Sequence, residues 1–494
     1  MELLKKLFGF DPKKSTVKRE IIAGVTTFLT MAYILAVNPA IFGELKDHSA
    51  DAEAPQAATV VVDNAQQDAL VVETVSENAV NDEAVQPVAD AKAETVKQRP
   101  MPRGAVFTAT VWAAIIGCLA MAFIGKLPFG LAPGMGLNAF FVYTVCNGMG
   151  YSWQFALTAV FLEGLLFIIL TLTNVREAIV NSIPVNLRNA IGAGIGFYIA
   201  FIGLKSAGII IPHTDTLVQL GDIVKVTNGS ALLALIGIIV TGFLYAKKVP
   251  AAILLGIIIT SLIGIPMGVT KSDFVAQYGF FEMPPSIEPI FCQFQLDKIW
   301  SLDMLVVVFT FLFIDMFDTI GTLVGVCTKA NLFDKHGRVY RIKEAFMADS
   351  IATTAGAMLG TSTTTTYVES AAGVAQGGRS GLTAFAIAVC FAIALFFCPL
   401  FLTIPFAATT PALVIVGLLM LEPIKKIPFD DFSESIPVFI CIIMMPLTYS
   451  ISNGIILGLI SYVVLNVICG NFKKITPTMY ILVVLFVLKL IFIK

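Results

Sequence analysis

Apolar runs of roughly 20 residues recur along this chain, and a backbone carrying them has few ways to fold. Inside a bilayer each N–H and C=O must be satisfied within the protein, so such runs become membrane-spanning helices. With 57% hydrophobic and 13% charged residues, the chain reads as an all-α polytopic membrane protein. The spans of its first half fall near residues 21–42, 105–124, 133–149, 154–173, 187–206, 231–245 and 250–267. Those of the second fall near 302–326, 344–358, 360–375, 382–404, 410–423, 435–449 and 453–469, fourteen in all.

Charge placement tests that count, because Lys and Arg collect on the cytoplasmic side. Lys5, Lys6, Lys13, Lys14, Lys18 and Arg19 precede the first span, and Lys247 and Lys248 follow the sixth. Lys329, Lys335, Arg338, Arg341 and Lys343 lie between the eighth and ninth; Lys425, Lys426, Lys473 and Lys474 follow the twelfth and fourteenth. All face one side when both termini are cytoplasmic. The basic start has no apolar region with a cleavage site, so no signal peptide is expected. The apolar stretch 479–494 is short, and is expected to lie against the cytoplasmic face or the bundle rather than to span.

Residues 44–103 interrupt the pattern. They are rich in Ala, Val, Asp and Glu without a hydrophobic period, and read as an external, acidic, disordered insertion. Without it, the first span to the first break covers about the same distance as the eighth span to the second break. Seven spans is an odd number, so the second half enters the membrane in the opposite direction, as in the inverted repeats of secondary transporters.

The two breaks are the segments LPFGLAPGMGLNAFF (127–141) and GTSTTTTYVESAAGVAQGGR (360–379). Non-helical backbone at membrane depth survives only where protein or a polar cavity satisfies it. In the first, Pro128 and Pro133 disfavour a continuous helix, while Gly134 and Gly136 permit close backbone approach. Asn138 can donate and accept at a heterocycle edge, or simply cap the following helix. In the second, Thr363, Thr364, Thr365 and Thr366 suit an extended segment, and Glu369 stands where a half-helix begins, as ligand contact or as cap.

Intramembrane carboxylates tend to face a cavity, since each costs roughly 2.5–3.5 kcal/mol at a helix centre. Asp315 and Asp318 share a face of the eighth span by their i, i+3 spacing, with Thr319 and Thr322 nearby. Glu163 and Asp349 are also embedded, and read as structural or proton-coupling residues before substrate contacts. Phe141, Phe313 and Phe317 can stack on a flat ligand, although membrane aromatics usually pack. Span centres hold acids and almost no Lys or Arg, so an anion is disfavoured and a neutral ligand with N–H donors is favoured. Buried acids that can hold a proton also supply a coupling device. The eight cysteines include no C-x-x-C pair and the three histidines lie in loops, so neither a metal site nor a disulfide framework is expected, and no cofactor. No basic nucleic-acid surface is present.

The segments REIIAGVTTFLTMAYILAVNPAIF, APGMGLNAFF, FIDMFDTIGTL and ADSIATTAGAMLGTSTTTTYVESAAGVAQGGRSGLTA resemble the AzgA-like purine permeases, a branch of the nucleobase–ascorbate transporter family. The resemblance covers nearly the whole chain except residues 44–103, where the family has a short connection. It implies fourteen segments in two inverted seven-segment repeats with UraA-like core and gate domains, and short strands in segments 3 and 10. The core would comprise 20–43, 104–174 and 301–404, and the gate 175–268 and 405–470, with 269–300 an external loop and 1–19 and 471–494 cytoplasmic. Carried over by motif, Asp318, Glu369 and Asn138 would bind substrate with Gly136 and Thr366 beside them, while Asp315, Glu163 and Asp349 would couple protons or support the core. The implied activity is proton-coupled import of adenine, guanine or hypoxanthine across the inner or plasma membrane, with protons, the purine and the bilayer as partners and homodimerisation left open. A uracil or xanthine carrier and an anion transporter of the same fold are the alternatives. An intramembrane hydrolase on the span-eight aspartates is the outlying one, and the expectation is that the protein is not an enzyme.

Overall fold

The structure, a computed structural model, describes residues 2–45, 100–173, 184–213, 216–223, 229–249, 251–271, 277, 279–330 and 341–492. Most of the insertion expected over 44–103 therefore lies outside the described residues. Among the described residues, six helical stretches are long and apolar enough to cross a membrane by length and composition: Val17–Phe42, Arg103–Gly125, Trp153–Leu172, Val185–Ser206, Gly381–Leu402 and Phe406–Lys426. Five shorter apolar helices join them. Several helices turn large apolar side chains outward, Ile239 and Phe243 among them. That is the inverse of a water-facing surface, and it marks a multi-pass membrane protein.

The first half begins with α1 (Glu2–Phe8), α2 (Val17–Met31) and α3 (Ile34–Phe42). The single span expected over 21–42 is thus divided at Ala32 and Tyr33. The bonds Leu35 N–H to Ala32 O (3.1 Å) and Ala36 N–H to Tyr33 O (3.0 Å) tighten the chain into an i, i+3 turn there, so the backbone bends without losing its hydrogen bonds. Next come α4 (Arg103–Ala120), β1 (Leu131–Pro133), α5 (Met135–Ala139), α6 (Trp153–Leu172) and α7 (Val185–Ser206). The strands β2 (Ile210–His213) and β3 (Leu217–Leu220) form a hairpin before α8 (Ser230–Ala246) and α9 (Ala252–Gly264).

The second half contains α10 (Leu302–Ala330), α11 (Ile342–Leu359), β4 (Thr364–Thr366), α12 (Ser370–Ala375), α13 (Gly381–Ala394) and α14 (Cys398–Leu402). It closes with α15 (Phe406–Met420), α16 (Phe432–Leu447), α17 (Ile451–Ile468) and α18 (Pro477–Phe492). Two packed groups emerge. The helices α2, α4, α6, α11, α12 and α13 pack on one another, with α4, α10 and α11 against β1 and β4, while α7, α15, α16 and α17 pack chiefly on one another and α8 and α9 join α15. The C-terminal α18 lies against the bundle: the Phe486 ring sits 5.9 Å from Phe309 and 6.2 Å from Phe313. Lys474 ties the turn before it to α16 through Asp431 (3.2 Å) and Glu434 (3.3 Å). Hydrogen bonds from Ser433 and Lys474 hold the exposed Asp431 carboxyl below its ordinary value.

Both chain breaks meet in one two-stranded sheet. β1 and β4 are antiparallel, with Leu131 opposite Thr366, Ala132 opposite Thr365 and Pro133 opposite Thr364. Gly134 N–H donates to Thr363 O at 2.9 Å and Tyr367 N–H to Gly130 O at 3.0 Å, closing the ladder at each end. The freed backbone at each interruption thus satisfies the other, which is why neither occurs alone in a hydrophobic interior.

Candidate substrate site

The cleft beside this sheet encloses about 510 Å³ free of atoms, its open mouth included. Four of the five residues expected to bind substrate line it together: Asp318 from α10, Glu369 at the start of α12, Thr366 from β4 and Gly136 from α5. Tyr33, Thr365 and Tyr367 add polar wall; Ile199, Val416, Leu419 and Met420 close the opposite, apolar side. Among the described residues no Lys, Arg or His lines the cleft. The glycines make room: a Cβ on Gly136 would lie 2.9 Å from Ile195 Cγ2 and 3.8 Å from Ile199 Cδ1, and one on Gly134 2.8 Å from Thr365 Cγ2.

Glu369 occupies the N-cap position of α12, yet its side chain makes no capping bond. Instead Oε1 accepts from the Tyr33 hydroxyl at 2.7 Å. The Thr366 hydroxyl has no partner among the described residues and borders the cleft. A polar wall of this kind offers mainly acceptors, and so suits a ligand rich in N–H.

Asn138 stands elsewhere. It is fully buried inside α5, does not border the cleft, and accepts through Oδ1 from the Ser362 hydroxyl. The expected direct ligand contact and the expected N-cap are both replaced by a tie between the two breaks. Ser362 is 224 residues away in sequence, so no local pattern announced it.

Asp315, Asp349 and Glu163 form a buried layer behind the sheet. The Thr319 hydroxyl lies 3.2 Å from Asp315 Oδ1, 3.0 Å from Asp349 Oδ2 and 2.7 Å from the Thr365 hydroxyl. A hydroxyl has one proton to donate, so Thr319 serves one carboxylate at a time. Because Thr365 lines the cleft, this contact joins the acidic layer to the ligand wall. Thr363, just before β4, donates to Glu163 Oε2 at 2.7 Å. The aromatic residues pack as membrane aromatics usually do: Phe141 against Phe42 and Phe311, Phe313 against Phe309. The side chain of Phe317 lies outside the described residues.

Sequence reasoning missed Tyr33 and the apolar wall. Tyr33 reaches the cleft only because α2 and α3 part beside it, and no Gly or Pro marks that position. Beneath α12, the buried Glu20 carboxylate accepts from Arg379 N–H (3.1 Å), Ser380 N–H (3.3 Å) and the Thr383 hydroxyl (2.5 Å). Glu20→Ala strands all three donors and is expected to cost about 2 kcal/mol or more. The check is the unfolding midpoint of the purified protein in detergent, where an unchanged value would refute the role.

The sequence matches the profile of the Permease family (Xan_ur_permease) over residues 85–457. It is 42% identical over 493 residues to the guanine/hypoxanthine permease PbuG of Bacillus subtilis, covering 99% of this chain and 100% of that one. It is 36% identical over 488 residues to the adenine permease AdeQ of Escherichia coli, covering 99% and 96%. The fold is similar to that of the solved structure of SLC26A9, with a TM-score of 0.58 at 12% identity over 94% of this chain and 69% of that one.

Proposed function

This chain belongs to the Permease family, in its purine permease branch, and on that premise we propose that it imports purine nucleobases together with protons by alternating access. The observation that carries the reading is a cleft with two carboxylates, one unpartnered hydroxyl and no cationic side chain among the described residues. A neutral purine presents N–H groups that Asp318 and Glu369 accept, and its faces lie against the apolar wall. An anion would meet two like charges and no compensating one. The relatives are permeases, not enzymes, and a hydrolase reading is not retained.

In this proposal the fourteen segments form two inverted repeats. The group around the strands is the core, and the α7–α9 and α15–α17 group is the gate that rocks against it. Ligand sits between them, touching Gly136 and Thr366 on one side and Ile199 and Val416 on the other. Asp315 and Asp349, linked to the cleft through Thr319 and Thr365, relay the coupled proton; Glu163 and Asn138 support the core. The protein lies in the inner or plasma membrane with both termini cytoplasmic.

Uptake of labelled adenine, guanine and hypoxanthine in cells stripped of their own carriers tests this. Accumulation of at least one purine is expected, and a protonophore is expected to abolish it. No uptake of any of the three would overturn the purine assignment; uptake indifferent to the protonophore would overturn the coupling alone.

A further inference from the structure

The division of the first span has a chemical consequence at the cleft. Tyr33 lies in the turn between α2 and α3, has no exposed surface, and yet borders the cleft. Its hydroxyl donates to Glu369 Oε1, and its ring centroid stands 6.5 Å from that of Tyr367, a further lining residue. Tyr367 is tied elsewhere, donating to Pro133 O at 2.5 Å, so Tyr33 alone of the two phenols serves the carboxylate. Asp318, across the cleft, makes no hydrogen bond to any described residue. The two acids therefore offer unequal acceptor capacity. Asp318 has two oxygens for a ligand, whereas one oxygen of Glu369 is already engaged and its rotamer is held.

Resting on the purine reading above, we propose that Tyr33 is a positioning residue: it fixes Glu369 so that one carboxylate oxygen meets a ligand N–H, and it thereby sets affinity. A free glutamyl side chain rotates about three bonds, and ordering it on binding costs conformational entropy. The phenol pre-orders it. Neither Glu369 nor Tyr33 can do this alone, because the short α12 makes no cap bond to the Glu369 side chain.

The test is purine uptake kinetics in Tyr33→Phe, which removes only the hydroxyl. KM for the best-transported purine is expected to rise about 10-fold, with the maximal rate within about twofold. A purely structural tyrosine would instead lower the amount of folded carrier and the maximal rate while leaving KM alone. Glu369→Asp, which withdraws the carboxylate from the phenol but keeps its charge, provides the second arm. In that background adding Tyr33→Phe is expected to change KM by less than about twofold, since the pair is already uncoupled. An unchanged KM in Tyr33→Phe, or additive losses in the double variant, would overturn the proposal. If Tyr33→Phe fails to reach the membrane, a wild-type KM in Glu369→Asp decides against it. Wild-type protein that moves no purine would fail the transport reading itself, and that result is distinct from all of these.

Discussion

Alanine at Asp318 is expected to abolish purine uptake while leaving the carrier folded and in the membrane. The two halves of that expectation come from one geometric fact. Asp318 borders the cleft and makes no hydrogen bond within the described structure, so its carboxylate has nothing to stabilise except a ligand. Losing one or two charge-assisted hydrogen bonds to a bound purine removes about 2–5 kcal/mol, or ~30- to 5,000-fold in affinity. Stability moves the other way. A carboxylate at a helix centre costs about 2.5–3.5 kcal/mol on insertion scales, and alanine removes that cost together with an unfulfilled acceptor. The unfolding midpoint of Asp318→Ala in detergent is therefore expected to equal or exceed that of the wild type. Glu369→Ala is expected to lose uptake equally but without the gain in stability, because it strands the Tyr33 hydroxyl. Transport of radiolabelled purine beside a thermal scan reads both. Near-normal uptake by Asp318→Ala would remove that residue from the site, and a collapse of the folded protein would show that its role is structural.

That contrast also explains what could be read from the chain and what could not. Pro128, Pro133, Gly134 and Gly136 act on the backbone within a residue or two, so the first break was visible in them, and the Gly360 to Glu369 stretch announced the second. Asp318 and Glu369 were visible because acids are costly in lipid wherever they point. What the sequence concealed depends on partners far along the chain. Asn138 reads as a ligand contact until Ser362 is placed against it, and Tyr33 reads as one aromatic among many until the turn at Ala32 aims it at Glu369. Asp315 and Asp318 share a helical face by spacing, yet three residues advance the helix by nearly a turn and by about 4.5 Å. One acid then reaches the cleft while the other faces Thr319 behind the sheet. Periodicity resolves a face; it does not resolve depth along that face.

The second large effect concerns the seat of Glu369 rather than Glu369 itself. Gly373 lies one turn further along α12, directly against α2. A Cβ there would stand 2.5 Å from Ala23 O and would overlap the Thr27 hydroxyl, while a Cβ on Gly378 would come within 3.0 Å of Ala23 Cβ. Close backbone approach of this kind is how small residues let membrane helices associate. Backbone cannot yield as a side chain can, so Gly373→Leu must push α12 away from α2. The carboxylate of Glu369 rides on α12 and the phenol of Tyr33 at the far end of α2, so the same displacement separates them. A shift of about 1 Å in a positioned group can cost ~100-fold in rate, and uptake by Gly373→Leu is expected to fall by at least that factor. Overpacking adds about 1–3 kcal/mol of destabilisation, which a lower unfolding midpoint would register. Gly373→Ala, with a single added carbon, is expected to fall between the two, because even that carbon meets the Ala23 carbonyl. Wild-type uptake in Gly373→Leu would mean that α12 slides freely over α2, and a half-helix free to slide could not hold a carboxylate in register with a ligand.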